Sequence, residues 1–349
     1  MSKFKETMMI GYKMNMLSKG MGAAAIALGC ALAMGGNAHA RDQVNIDLLT
    51  TGFGTGSYVM GTALEEVSKK NHDWLRINAT ETPGFPFNLR KIDEDEAAKK
   101  MTIIGTGPGT IGLARGGQKP FKKKHKNTPK LIANYSIGTY WLASISPGVK
   151  KIEDLNGKKV ALGRAAQTSW AVQPAAVVEQ GYNMKGKVDI QYVGVESAIA
   201  ALLDGNVDAA IVGGYWDPMK HTMTLSPQTT EFMASGRNIN FLSMGDAEIK
   251  RAVEAGVTML SLSVPKGAIA GIDYDLNVVA DTVSWAASPE FPEELAYEIT
   301  KLIINNLDSF GKFHALGKLM SPDGLVYGWD IEDIHPGAVK AYKEAGILK

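Results

Sequence analysis

Two hydroxyl side chains, Thr168 and Ser169, stand directly before Trp170 to Gln180, an apolar stretch that reads as a helix ended by Gly181. At such a start, hydroxyls and unpaired backbone N–H groups converge on an anion such as a carboxylate, or they cap the helix with no ligand at all. Pro174 falls past the first turn, so this helix either starts later or kinks. Large rings gather around the same part of the sequence pattern: Phe53, Tyr58, Phe85, Phe87, Trp170, Tyr215 and Trp216 all lie in or beside loops. Such rings serve as core plugs or as the apolar wall of a small-molecule pocket.

Other chemistries are poorly provided for. Gly52-Phe53-Gly54-Thr55-Gly56 lacks the spacing to a third glycine, Gly105-Thr106-Gly107-Pro108-Gly109 has a proline where a helix should open, and neither carries Gly-Lys-Ser/Thr, so a nucleotide site is disfavoured. Five histidines follow residue 40, with no two of them three to five residues apart and none in a His-Glu-x-x-His frame. Cys30 is the only cysteine. A chain without its first 40 residues therefore has no disulfide and no thiolate nucleophile, and no metal or cofactor is expected.

Those first 40 residues read as an address. Lys3, Lys5, Lys13 and Lys19 precede the uncharged run Met21 to Met34, and Gly35-Gly36-Asn37 leads to Ala38-His39-Ala40. This is the plan of a secretory signal peptide cleaved after Ala40, which places the mature protein in the periplasm. The run is shorter than the roughly 20 residues of a spanning helix. A membrane anchor is the lesser alternative, as is lipidation of Cys30 behind Ala27-Leu28-Gly29. The whole chain has 349 residues, 37 basic and 36 acidic; beyond residue 40 these become 33 and 35. That balance offers no general attraction to nucleic acid. The lysine-rich stretch Lys119 to Lys130 reads as a solvated loop. At 45% hydrophobic and 21% charged, the composition is that of a globular protein with about two domains.

The elements that would position these residues alternate. Val44 to Leu49 reads as strand, with a glycine loop and a helix from Tyr58 to Lys70 after it. Leu75 to Thr80, a Pro/Gly loop, a charged helix from Asn88 to Lys100 and the strand Met101 to Ile104 follow. Leu131 to Ile137 and Trp141 to Ile145 read as two further strands. A second unit begins near Val149, with strands at Val160, Val188 to Val193 and Asp208 to Val212, a helix from Ser197 to Leu203, and a loop at Gly213 to Pro218. Thr258 to Val264 and Val278 to Ala286 are β-rich, and the tail from Phe291 is mostly helical, with Leu295, Ile299, Leu302 and Ile303 on one face. Alternating strands and helices imply an α/β fold with parallel pairing, and ligands bind at the carboxyl ends of such strands.

Several short motifs carry a resemblance. These are Gly56-Ser57-Tyr58 with Gly61, Asn88-Leu89, the run from Asp154-Leu155-Asn156-Gly157-Lys158 to Gly163, Leu203-Asp204-Gly205-Asn206-Val207-Asp208-Ala209, and His335-Pro336-Gly337-Ala338 followed by Tyr342 to Gly346. From about Val44 to Ile347 the chain resembles the TAXI family, the solute receptors of tripartite ATP-independent periplasmic (TRAP) transporters. The resemblance implies a type II periplasmic-binding-protein fold: two α/β lobes around a ligand cleft, crossed near Ser144 to Gly148 and Val278 to Ala286. Residues 41–144 and 278–349 would form one lobe and 145–277 the other. It also implies an organic anion as ligand, TRAP membrane subunits as partner, a monomer and no enzymatic activity.

Ser57, Tyr58, Asn88 and Thr106 are site residues by this resemblance. Phe85, Thr168, Ser169 and Trp170 join them from the loops, as do Gly213, Tyr215 and Trp216. The sequence departs from the family pattern where Pro83-Gly84-Phe85-Pro86-Phe87 replaces a Gly-Gly-Ser, Thr106-Gly107 a Ser-Asp, and Gln167-Thr168-Ser169-Trp170 a Ser-Gly-Thr. Rings thus stand where polar contacts are usual, and an acid with an apolar or aromatic body is expected in preference to glutamate. The alternatives are the binding protein of an ATP-driven importer or a sensor kinase and, in another class, an enzyme on the same fold.

Overall fold

The structure, a computed structural model, describes residues 41–53, 55–165 and 167–349. The expected signal peptide, its cleavage after Ala40 and Cys30 lie outside the described residues.

Among the described residues eleven strands form one sheet. The first unit supplies β1 (Val44–Leu49), β2 (Leu75–Thr80) and β3 (Thr102–Thr106), with β2 and β3 both parallel to β1. Between them run α1 (Gly56–Asn71), α2 (Phe85–Glu94) and α3 (Glu96–Met101), and α4 (Pro108–Gly116) follows β3. The single helix expected from Asn88 to Lys100 is two, because Asp95 leaves helical geometry and its carboxylate accepts the N–H groups of Ala97 and Ala98 (2.9 and 3.0 Å), starting α3 afresh.

Next comes β4 (Lys130–Ser144), one strand of 15 residues where the sequence pattern suggested two. The second unit holds β5 (Lys159–Leu162), β6 (Asp189–Tyr192), β7 (Ala209–Asp217), β8 (Thr222–Leu225), β9 (Asn240–Leu242) and β10 (Leu260–Val264), and β11 (Leu276–Ala287) returns. Strand order is β2-β1-β3-β11-β4-β7-β5-β6, with β8, β9 and β10 flanking β7, β4 and β11. This is the type II periplasmic-binding-protein arrangement, an α/β fold in which two strands pass between halves of the sheet.

Those two strands pair antiparallel along nearly their full length, Lys130 opposite Ala287 and Tyr140 opposite Val279. At one end β11 also pairs with β3 (Ser284 to Ala287), and at the other β4 pairs with β7 (Gly138 to Ala143). The passage between halves therefore falls at Ser136 to Gly138 and Asp281 to Val283, earlier in β4 than the expected Ser144 to Gly148. The central strands are covered on both faces and read as unbroken buried runs, as in β3 and most of β7.

Separate clusters fill the two halves. Ile46, Leu48, Leu64, Trp285 and Tyr342 belong to the first, and Trp141, Val160, Val212, Phe232 and Val279 to the second. A smaller cluster under α2 and α4 holds Leu89, Ile104, Ile111 and Phe121. In the Lys119–Lys130 loop, Lys122, Lys123, Lys124 and Lys126 are exposed as expected, while His125 is buried and bonds Asp93 (2.8 Å).

The C-terminal helices close the first half. In α9 (Glu293–Asn305), Glu293 and Glu294 sit in the first turn, where carboxylates favour a helix start, and Leu295, Ile299, Leu302 and Ile303 are buried. After α10 (Leu307–Phe313), α11 (Pro336–Glu344) lies against α9. The His-Pro-Gly-Ala motif makes that contact. His335 donates its N–H to Leu131 O (2.9 Å), and a Cβ on Gly337 would come within 2.0 Å of Glu293 O. Overpacking of this kind costs about 1–3 kcal/mol. Gly337→Ala should destabilise the fold by at least that amount, read as a lower urea midpoint at unchanged slope; an unchanged midpoint would show that α9 and α11 yield freely.

Candidate functional site

Two contiguous pockets, about 1050 and 830 Å³, open at the strand ends and share Gly56, Arg164, Trp170, Tyr215 and Leu316 among their lining. Both halves contribute walls. From the first come the start of α1 with Ser57, the Pro83–Phe87 segment and Arg90; from the second come the loop after β5 with Arg164, then Thr168, Ser169 and Trp170, and Tyr215 of β7. Tyr135, Ser136 and Tyr140 of β4 lie between them.

The helix behind Thr168 and Ser169 accommodates Pro174 by leaving α geometry on either side of it. It runs as π turns over Thr168–Val172, α5 (Gln173–Ala176) and π turns again over Val177–Gly181. Pro174 has no N–H for the carbonyl of Trp170 four residues back. That carbonyl instead accepts the N–H of Gly163 (3.0 Å), which ties the helix to the end of β5. Trp170 is half-buried: its ring meets Tyr140 edge-on (centroids 4.8 Å apart) and faces both pockets.

Asp281 occupies the anion position that the sequence suggested for a ligand. It is buried at the passage in β11 and accepts bonds from Gln173 Nε2 (2.9 Å), Ser169 Oγ (3.4 Å) and the Gly109 N–H (3.4 Å). Thr168 Oγ1 is shared with Thr110 Oγ1 at 3.0 Å. Both hydroxyls are thus engaged by the protein itself, bridging α4 in the first half to the α5 segment in the second.

Burial pushes the Asp281 carboxyl up to about 7, against the pull of Gln173, the Gly109 N–H and Ser169. The same cause raises the phenols of Tyr135 and Tyr140 and keeps them protonated donors.

Of the other expected site residues, Ser57, Phe85 and Tyr215 line the cleft together with Thr168, Ser169 and Trp170. Five do not. Asn88 is fully buried and donates to Leu49 O, Thr50 O and Gly105 O (2.7–3.1 Å) while accepting from Thr82 Oγ1 (2.7 Å), so it staples the ends of β1 and β3. Thr106 is buried in β3. Tyr58 packs its ring against Phe53 at a tilt of 55°, centroids 5.2 Å apart, on the flank of α1.

Gly213 leaves room for Trp170, whose Cη2 would lie 2.9 Å from any added Cβ. Trp216 is a core residue at 4% exposure. The segment Gly213–Asp217 was expected as loop but belongs to β7, where neighbouring side chains point to opposite faces, so Tyr215 faces the cleft and Trp216 the core.

Sequence reasoning missed Arg90, Arg164, Tyr135, Tyr140 and Asp281. The arginines are cations in the lining with no carboxylate at ion-pair distance among the described residues. Spacing gave them no signal. Among the described residues no group of His, Cys, Asp and Glu could hold a metal ion, and no helix is long and apolar enough to cross a membrane.

Because the carboxyl of Asp281 is raised from its ordinary value of 3.8, its contribution to stability is fully present below that value and is lost as pH rises through about 7. One pKa unit corresponds to about 1.4 kcal/mol, so the effect is on the order of a few kcal/mol. Urea unfolding of the wild type between pH 5 and 8 should show this decline, and Asp281→Asn should flatten it; a decline retained in the variant would place the titrating group elsewhere.

Comparison with solved structures gives low-identity likenesses over most of the chain. A TctC solute binding protein from Polaromonas is 16% identical, covering 87% of this chain and 96% of that one, at a TM-score of 0.49. MatC from Rhodopseudomonas palustris, solved with bound malate, is 13% identical over 87% and 96% at 0.49. The aliphatic sulphonate binding protein SsuA from Escherichia coli is 13% identical over 87% and 83% at 0.41. The family is settled by sequence: residues 48–346 match the model of the NMT1-like family, and the chain belongs to it.

Proposed function

We propose that this protein is an extracytoplasmic solute receptor of the TAXI type that captures an organic acid and delivers it to the membrane subunits of a TRAP transporter. One observation carries this reading: a cleft lined from both halves of the sheet, which only two paired strands, β4 and β11, connect. Contacts made by both walls at once exist only when the halves approach, so a bound solute favours a closed form that a membrane partner can distinguish from the empty one.

Two of the motifs behind the TAXI resemblance support this reading. Gly56-Ser57 opens α1 at the cleft, and the His335 motif fixes α11 on the first half. We take residues 41–144 and 278–349 as one lobe and 145–277 as the other, the mature chain starting at Arg41 in the periplasm as a monomer. The role is binding without turnover. Ser169, the cleft hydroxyl that faces a carboxylate, satisfies a buried acid at the passage between the halves.

The acid has an apolar or aromatic body. Phe85, Trp170 and Tyr215 supply the walls, and Arg90 and Arg164 supply the positive charge. Mass spectrometry of material released from the purified protein identifies the acid. Its re-addition should shrink the particle in small-angle scattering, and no compaction at saturation would count against closure.

Burying an apolar face contributes about 25 cal/mol per Å², so removing one wall costs roughly 1–3 kcal/mol, and 1.4 kcal/mol is a factor of ten. Trp170→Ala should therefore weaken the recovered acid about tenfold or more by titration calorimetry. Trp216→Ala, on the core face of the same strand as Tyr215, should lower the melting temperature and leave affinity alone. Equal affinity in wild type and Trp170→Ala would remove Trp170 from the binding wall.

A further inference from the structure

Two buried hydroxyls in the cleft lack a partner. Ser57 is 7% exposed and Tyr135 2% exposed, both line the larger pocket, and the two hydroxyls lie near each other, yet among the described residues neither Ser57 Oγ nor Tyr135 OH meets hydrogen-bond geometry with any group. Buried polar groups are almost always bonded, and leaving one unpaired costs a large part of its desolvation. Tyr135 is held in place by its ring, 4.7 Å from that of Trp285, so its hydroxyl does not turn away to water. Burial also keeps that phenol protonated, hence a donor.

The hydroxyls adjoin a helix start. Helix α1 has 16 residues, and its Thr55 cap takes the N–H groups of Tyr58 (3.2 Å) and Val59 (3.0 Å). The first N–H groups of a helix have no partner within it. Those of Gly56 and Ser57 make no bond among the described residues, and both residues line the cleft. The helix N–H groups can only donate, and both hydroxyls can turn to donate beside them, in a place where the helix dipole favours negative charge. The carboxylate nearest in sequence pattern, Glu81, is in the same pocket and is engaged by the N–H of Phe53 (2.9 Å).

We propose that the first turn of α1, Ser57 Oγ and Tyr135 OH form a carboxylate subsite, so that the acid seats its carboxylate on the first half of the sheet before the second half closes on its body. The proposal rests on the receptor reading of the cleft and relocates the anion contact from Thr168 and Ser169, whose hydroxyls Thr110 and Asp281 occupy. A carboxylate brings a negative charge and two acceptor oxygens to the four donors, whereas a primary amide is neutral and offers them one oxygen. Arg90 and Arg164 then remain for a second acidic group or for long-range attraction.

Acetate is the probe, because it fills the subsite whatever the body of the natural acid. Titration of ¹³C-labelled acetate by NMR at pH 7.5 and constant ionic strength, with chloride as balance, should show saturable binding to the wild type. Acetamide should show none. Ser57→Ala and Tyr135→Phe should each raise the acetate Kd about tenfold.

The melting temperature of Tyr135→Phe without acetate should equal or exceed that of the wild type, because the change deletes an unpaired buried hydroxyl; a structural hydroxyl would lower it. Acetate that binds no better than chloride, or a Kd unchanged in both variants, overturns the subsite. That failure is distinct from failure of the receptor reading, which would show as no acid recovered from the purified protein and no compaction with any acid supplied.

Discussion

The pairing of β4 with β11 is the constraint on which the rest depends. These two strands belong to both halves of the sheet, and each brings one half's core to one end and the other's to the other end. Their shared middle, Ser136 to Gly138 against Asp281 to Val283, sits under the cleft, with Tyr135, Ser136 and Tyr140 presented from the same strand that forms the connection. A change in the angle between the halves therefore displaces the floor of the cleft directly. It also loads the bonds that Asp281 receives from α4 on one side and from the α5 segment on the other. Because a desolvated carboxyl is poised to lose or keep its proton near neutrality, the strength of that seam depends on the medium as well as on the contacts.

The charge distribution of the cleft follows from this arrangement. The buried Asp281 carboxyl behind the cleft is already bonded by the protein, and the unpaired groups in the lining are hydroxyls and backbone N–H donors. Among the described residues the fixed cations in the walls are Arg90 and Arg164. Neutral donors, which cost less to leave unpaired than a buried ion does, suit a solute that must be released as readily as it is held, whereas a deeply buried ion pair would have to be rehydrated at each release.

Much of this was legible in the sequence because it rests on periodicity. The alternation of strand and helix, the buried face of α9 and the order of the two units all come from apolar spacing. The failures have physical causes. Asp281 lies in an otherwise apolar strand, and spacing cannot say that its partners arrive from residues 109, 169 and 173. Tyr135 was read as strand and given no role, since only the tertiary structure shows that its hydroxyl lacks a partner. Tyr215 and Trp216 looked equivalent while the segment was taken as loop; as strand, they must diverge. Asn88 had the right neighbourhood and the wrong task, because its amide is consumed by three carbonyls of β1, its following residue and β3.

The double passage of the chain also fixes an order of assembly. On the far side of β3 from β1, its neighbour is β11, which begins only at Leu276, and the helices that cover the first half come later still. The second half, by contrast, has β4, β7, β5 and β6 in hand by Asp217. During synthesis, then, the part of the protein made first is the part completed last, and the edge of β3 that pairs with β11 waits unpaired through most of translation. Such long-range closure is slow and leaves strand edges open to misassociation. A cell producing this chain has reason to keep a holdase near it until the last helices have emerged.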